Sequence, residues 1–135
     1  MTVNELARAA DVPPAKVRYY ARRGLLPAQR AAGNGYRLFD NAALARLRFI
    51  STSRVLGFAL KDIQRLLRDA DLGQSPCPQV RTLLDQRVAA LAAQRRALAR
   101  EEARLRAIGA RWAGLPDGVP DLRRLCPLVE VARGA

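Results

Sequence analysis

The chain has 135 residues, half of them apolar but only 5% aromatic, so it makes one compact domain, or a small domain with a helical extension, around a Leu, Ala and Val core that favours helices. Lys and Arg outnumber Asp and Glu by 24 to 12, for a pI near 11.4, and such a chain attracts polyanions at any cellular pH, nucleic acid first. A membrane surface is the weaker partner, since no apolar run approaches the roughly 20 residues that span a bilayer, and no export signal is expected, because Met1-Thr2-Val3-Asn4-Glu5 lacks a basic start and apolar stretch.

A cytoplasmic location is therefore expected, with the two cysteines present as free thiols. Thr2 and Glu5 have the spacing of a capping box, and Leu6, Ala9 and Ala10 share a face of the short helix it opens. Asp11-Val12-Pro13-Pro14 breaks that helix and restarts it as a second one over 13–23, with proline in the first turn and Gly24 past the end. Two short helices joined by a tight turn make a helix-turn-helix. Lys16, Arg18, Arg22 and Arg23 cluster on the second helix, where they can neutralise phosphates or reach base edges in the major groove. Of Tyr19 and Tyr20, one packs into the module and the other faces the DNA backbone.

Gly33-Asn34-Gly35 accepts positive φ and Tyr36-Arg37-Leu38-Phe39 alternates as a strand does. Residues 28–39 thus read as a β-hairpin, or wing, with Arg30 and Arg37 on opposing strands. Asp40 or Asn41 caps a third helix ending near Leu56, and Gly57-Phe58-Ala59 interrupts it. A fourth helix, Leu60 to Asp69, carries Ile63, Leu66 and Leu67 on one side. Arg54 and Lys61 flank the Gly57 break as a second basic wing. Residues 71–78, rich in Gly, Ser and Pro, link this DNA-facing module, 1–70, to the C-terminal half of the chain.

Over 79–112 there is no proline, and Leu84, Leu91, Leu98, Leu105 and Trp112 recur every seven residues, with Val88 and Ile108 beside them. This predicts one helix about 50 Å long at 1.5 Å per residue. Its apolar stripe either packs back on the N-terminal module or, as sustained heptads argue, is covered by a second copy of the chain. Arg95 and Glu102 fall near the seam and suit a short antiparallel contact. Residues 113–135 form a Gly- and Pro-rich loop and a last short helix over 122–131.

Val17-Arg18-Tyr19-Tyr20, Gly24-Leu25-Leu26-Pro27, Gly35-Tyr36-Arg37-Leu38-Phe39, the run from Leu44 to Ile50, and the run from Leu56 to Ile63 stand in the order found in the MerR family of bacterial transcription regulators. The chain resembles that family closely over 1–70 and more loosely to its end. The resemblance implies a mainly α protein: a winged helix-turn-helix DNA-binding domain followed by a long antiparallel coiled-coil dimerisation helix. It also implies a homodimer on double-stranded palindromic promoter DNA, with Arg18, Tyr19, Tyr20, Tyr36 and Arg37 as contacts, joined by Lys16, Arg54 and Lys61. In this family the effector-bound dimer bends and untwists a promoter whose spacer is overlong, so that RNA polymerase can align with both elements.

In the family's metal-sensing branch, a cysteine at the start of the dimerisation helix pairs with thiols of the partner's C-terminal loop. Cys77 and Cys126 resemble the first and last of those ligands, which implies a soft divalent effector of the mercury, cadmium, lead or zinc class. The chain departs from the pattern at Ile108-Gly109-Ala110-Arg111-Trp112, where further Cys or His would stand, and it has no His. Two thiolates suffice for a linear soft ion, whereas tetrahedral zinc needs Asp117, Asp121, Glu130 or water. Other readings stay open: a redox-sensitive thiol at a helix start, an organic ligand, or two small core residues that sense nothing. No nucleophile–base spacing and no phosphate-binding glycine loop points to an enzyme. An architectural protein that binds DNA through charge alone is the remaining class.

Overall fold

The structure, a computed structural model, describes residues 1–30 and 37–133, with backbone alone at 29, 30 and 37. It is mainly helical. Helix α1 spans Val3–Ala10 and opens with the expected box: the Glu5 N–H donates to Thr2 Oγ1 at 3.2 Å while the Thr2 N–H donates to Glu5 Oε1 at 3.5 Å. Its inward face is Leu6 and Ala7 with Ala10 at the edge, and Ala9 points outward. Asp11, at φ 55°, turns the chain out of α1, and its N–H donates to the carbonyls of Ala7 and Arg8.

Helix α2, Pro14–Arg22, starts with proline, which gives up no helical hydrogen bond in the first turn, and ends before Gly24 at φ 77°. Val17 and Tyr20, three residues apart, point inward. The next elements are two short antiparallel strands, β1 Gln29–Arg30 and β2 Arg37–Leu38, paired Gln29 with Leu38 and Arg30 with Arg37. The turn of this wing, including Gly33, Asn34, Gly35 and Tyr36, lies outside the described residues.

The Asp40 carboxylate accepts the Ala43 N–H at 2.9 Å and so caps α3, Asn41–Val55, which buries Ala43, Leu47 and Ile50. Helix α4, Leu60–Asp71, runs two residues past the expected end, stops before Gly73 at φ 76°, and buries Ile63, Leu66 and Leu67. Arg46 ties these parts together. Its Nε donates to the Leu25 carbonyl at 3.0 Å and its Nη1 pairs with Asp71 at 2.6 Å.

Helix α5, Cys77–Trp112, is one uninterrupted helix of 36 residues, about 54 Å long at 1.5 Å per residue. It begins two residues earlier than expected, because Pro78 sits in the first turn and assists the start. The chain divides into two compact units, Met1–Val88 and Ala89–Ala135. In the first, Leu83 is buried and Val80 half-buried against the core of α1–α4. In the second, helix α6, Pro127–Ala132, is shorter than the 122–131 helix expected from the sequence. Asp121 Oδ1 accepts the amides of Arg123 and Arg124 at 2.7 and 2.8 Å, a local turn that competes with a helix there. Pro127 then holds Cys126 extended, at φ −147° and ψ 116°.

Candidate nucleic-acid interface and effector thiols

The inward Val17 and Tyr20 leave the other face of α2 to solvent, and Lys16, Arg18, Tyr19, Arg22 and Arg23 are all exposed there. The tyrosine pair divides as the sequence required, and spacing decides which is which: Tyr20 is 4% exposed and Tyr19 41%. Tyr20 is thus the core member of the pair and Tyr19 the exposed one. The two rings lie 5.6 Å apart at 58°, and the Arg23 guanidinium sits 5.8 Å from the centroid of Tyr19. A cation over the ring restrains Tyr19 on the outer face.

A shallow groove runs from α2 to the α3–α4 turn, walled by Ala15, Lys16, Tyr19, Tyr20, Arg54 and Leu60. Lys16 on α2 and Arg54 near Gly57, one member of each basic patch expected from sequence, therefore line one groove. Arg54 has a structural duty as well, since its Nη1 donates to the Phe58 carbonyl at 2.9 Å and braces the turn. Lys61 is exposed in the first turn of α4, whose N-cap, Ala59, supplies no side-chain acceptor. The α2 N-cap, Pro13, supplies none either. Neither helix start is closed by a capping side chain, an arrangement compatible with phosphate. Arg37 is placed by its backbone opposite Arg30 on the wing, and Tyr36 falls outside the described residues.

Gly57 shapes this turn in a way that sequence reading missed. It has φ 92°, and a Cβ there would collide with the Arg87 side chain, whose guanidinium stem lies against the turn. Arg87 reaches the turn from α5, a contact that no local periodicity signals. Arg46, likewise read only as part of a helical run, braces α3 against the Leu25 carbonyl and Asp71 instead of facing outward.

Cys77 is the first residue of α5 and exposed, with its N–H donating to Ser75 Oγ at 3.3 Å. Cys126 is half-buried at the N-cap of α6, and both are free thiols. Beside Cys126 the loop folds tightly: a Cβ at Gly118 would strike the Pro127 ring. Of the carboxylates expected to complete a zinc site, Asp121 is held below the usual carboxylate range by the Arg123 and Arg124 amides, and Glu130 pairs with Arg133 at 3.4 Å. Asp117 is exposed. Among the described residues, no group of three or more His, Cys, Asp or Glu converges within one chain. The heptad stripe of α5 stands open: Leu84, Leu91, Leu98 and Leu105 are exposed and Trp112 is half-buried. Among the described residues no helix is long and apolar enough to cross a membrane.

Comparison with known proteins bears on this geometry. Residues 1–70 match the model of the MerR HTH family regulatory protein, and residues 44–108 match that of MerR, DNA binding. The mercuric resistance operon regulatory protein of Bacillus cereus is 36% identical over 75 residues, 56% of this chain and 57% of that protein. The chain thus spans little more than half the length of that relative. The HTH-type transcriptional regulator MerD of Shigella flexneri is 42% identical over 96 residues, 67% of this chain and 80% of its own. Among solved structures, a transcription regulator of Ralstonia metallidurans in complex with lead(II) superposes with a TM-score of 0.73 at 27% identity, covering 97% of this chain and 98% of that one.

Proposed function

Because the chain belongs to the MerR family of helix-turn-helix regulatory proteins, we propose that it is a dimeric DNA-binding transcription regulator that answers a soft divalent metal ion. In this reading residues 1–70 hold the DNA, 71–78 link, 79–112 dimerise and 113–135 carry the effector loop. The observation that supports the DNA half is the groove that Lys16 and Tyr19 of α2 share with Arg54, beside the exposed Arg18, Arg22 and Lys61. Arg18 reads base edges or phosphate in the major groove, Lys16, Tyr19 and Arg22 hold the flanking backbone, and Lys61 and Arg54 hold it at the second wing. Tyr36, Arg37 and Tyr20 are carried over as further contacts from the family resemblance.

On the promoter, two such modules grip an overlong spacer and the effector-bound dimer bends and untwists it, so that RNA polymerase meets both promoter elements. Deforming a site of that length costs a few kcal/mol, which the added phosphate contacts of the distorted duplex offset. An Arg18→Ala variant is expected to bind the promoter ten- to a hundredfold more weakly, about 1–3 kcal/mol, with unchanged helical content. Promoter affinity equal to wild type in a gel-shift titration would remove α2 from the recognition role.

For the effector, Cys77 of one protomer and Cys126 of its partner are the proposed ligands. The donor set favours an ion content with two thiolates, mercury above all among mercury, cadmium, lead and zinc, since Asp121 and Glu130 already have partners in their own chain. The Bacillus relative's part in mercuric resistance and the lead(II) complex of the Ralstonia regulator support this class. Such an ion would cross-link the start of one dimerisation helix to the end of the other chain. Titrating the reduced dimer with each ion while counting free thiols tests it: Cys77→Ser and Cys126→Ser should each abolish stoichiometric binding and leave promoter binding intact. The exposure of Cys77 favours a second reading, a thiol that responds to oxidation. Its signature would be a disulfide formed by peroxide with no metal bound.

A further inference from the structure

We infer that the pairing of two α5 helices is oriented by reciprocal charges, Arg95 of each protomer against Glu102 of the other, which makes the antiparallel arrangement the stable one. This rests on the dimer proposed above and names what sets its polarity. The stripe on α5 has two interleaved rows at intervals of seven. One row is Leu84, Leu91, Leu98 and Leu105; the other contains Val88, Arg95 and Glu102. In a parallel two-stranded coil each position meets its own copy, so Arg95 would face Arg95 and Glu102 would face Glu102 across the seam.

An antiparallel partner removes that conflict. With the rows meshed, Arg95 lies across from Leu98 of the partner or, one heptad along, across from the partner's Leu105. Residue 102 is four positions from 98 and three from 105, so in either alignment Glu102 is one turn away on the same face. The two-fold axis then repeats the contact on the other side.

The shape of the helix agrees with its charge. Leu98, Glu101, Glu102, Leu105 and Arg106 wall a shallow hole, and the first four have the spacing that receives a knob from a facing helix. In the two antiparallel alignments the knob is a leucine of the partner, Leu91 or Leu98. Leu98 is 66% exposed in the single chain, an apolar surface that a second copy would cover. Among the described residues, Glu102 pairs in its own chain only with Arg106 on the surface, at 3.2 Å, a weak contact. Among the described residues, Arg95 makes no ion pair in its own chain.

Charge reversal on the full-length chain tests this, with the dimer dissociation constant read by sedimentation at low ionic strength and helical content checked by circular dichroism. Arg95→Glu and Glu102→Arg should each weaken the dimer by roughly tenfold or more, since two attractive pairs become two repulsive ones. The double variant Arg95→Glu with Glu102→Arg should return to the wild-type constant, and the spread among the four proteins should shrink in high salt. A parallel dimer gives a different pattern, because like charges already face each other there and Arg95→Glu costs nothing. Single variants that dimerise as tightly as wild type, or a double variant as weak as the singles, would overturn the inference while leaving the dimer itself standing. A wild-type chain that stays monomeric would overturn the dimer and the inference together.

Discussion

The core of α1–α4 and the heptad face of α5 treat apolar residues in opposite ways. Leu6, Leu26, Leu47, Ile50, Ile63 and Leu66 are fully buried in a core closed by their own chain, whereas Leu84, Leu91, Leu98 and Leu105 on α5 stand in solvent. The difference separates a part that is complete alone from a part that is half of something. Burial of one leucine side chain is worth roughly 1.5–3 kcal/mol, so a row of exposed ones is a standing drive to associate. In the first unit the same drive has already been used to position a basic surface.

The largest test of this contrast compares two leucine truncations. Leu47→Ala should destabilise the fold by about 2–5 kcal/mol, seen as a lower urea midpoint at every protein concentration. Leu98→Ala should act through association, so that its midpoint falls most at low concentration. Equal concentration dependence in the two variants would erase the distinction between the regions.

A smaller effect is expected at the turn that joins α3 to α4. Gly57→Ala places a side chain at φ 92° and against Arg87, and should cost about 1–2 kcal/mol from backbone strain. Removing the neighbour as well, with Arg87→Ala, relieves the collision but not the strain, so the double variant should regain only part of the loss in thermal unfolding. Full recovery would mean that the contact, and not the backbone, dictates glycine there.

The smallest expected change is in the C-terminal loop. The carboxyl of Asp121 is lowered from its ordinary range by the Arg123 and Arg124 amides, so the turn it holds is fully formed above the unfolded carboxylate pKa. It is lost as pH falls through the lowered value. The amide resonances of Arg123 and Arg124 should stay constant at neutral pH and move together only in acid. Movement near neutrality would show that Asp121 does not organise the loop.

Much of the first unit was legible because its boundaries are written in single residues: Thr2 with Glu5, Asp40, Gly24 and Gly57 each act over one turn. The tyrosine pair was legible only as a pair, since choosing between Tyr19 and Tyr20 needs the inward direction that Val17 establishes. Pro78 and Pro127 show the limit of reading proline as a stop. The first opens α5 earlier than composition suggested, and the second delays α6 by holding Cys126 extended. Leu83 escaped notice because it stands one residue off the heptad row, on a face turned to the core. Arg46 and Arg87 act across the fold, where no local spacing marks them. The residues proposed to face DNA were picked out by type and helix face, and the ion proposed to join Cys77 to Cys126 depends on a second chain.

The surface around Gly57 is finished by a side chain from α5, and the core beneath it is closed by Val80 and Leu83. A DNA-binding head transplanted onto a foreign stalk at the 71–78 loop would arrive with an open seam and an altered turn. Exchange of C-terminal parts by recombination would thus succeed only at a splice beyond Arg87, so the first turns of the stalk travel with the head.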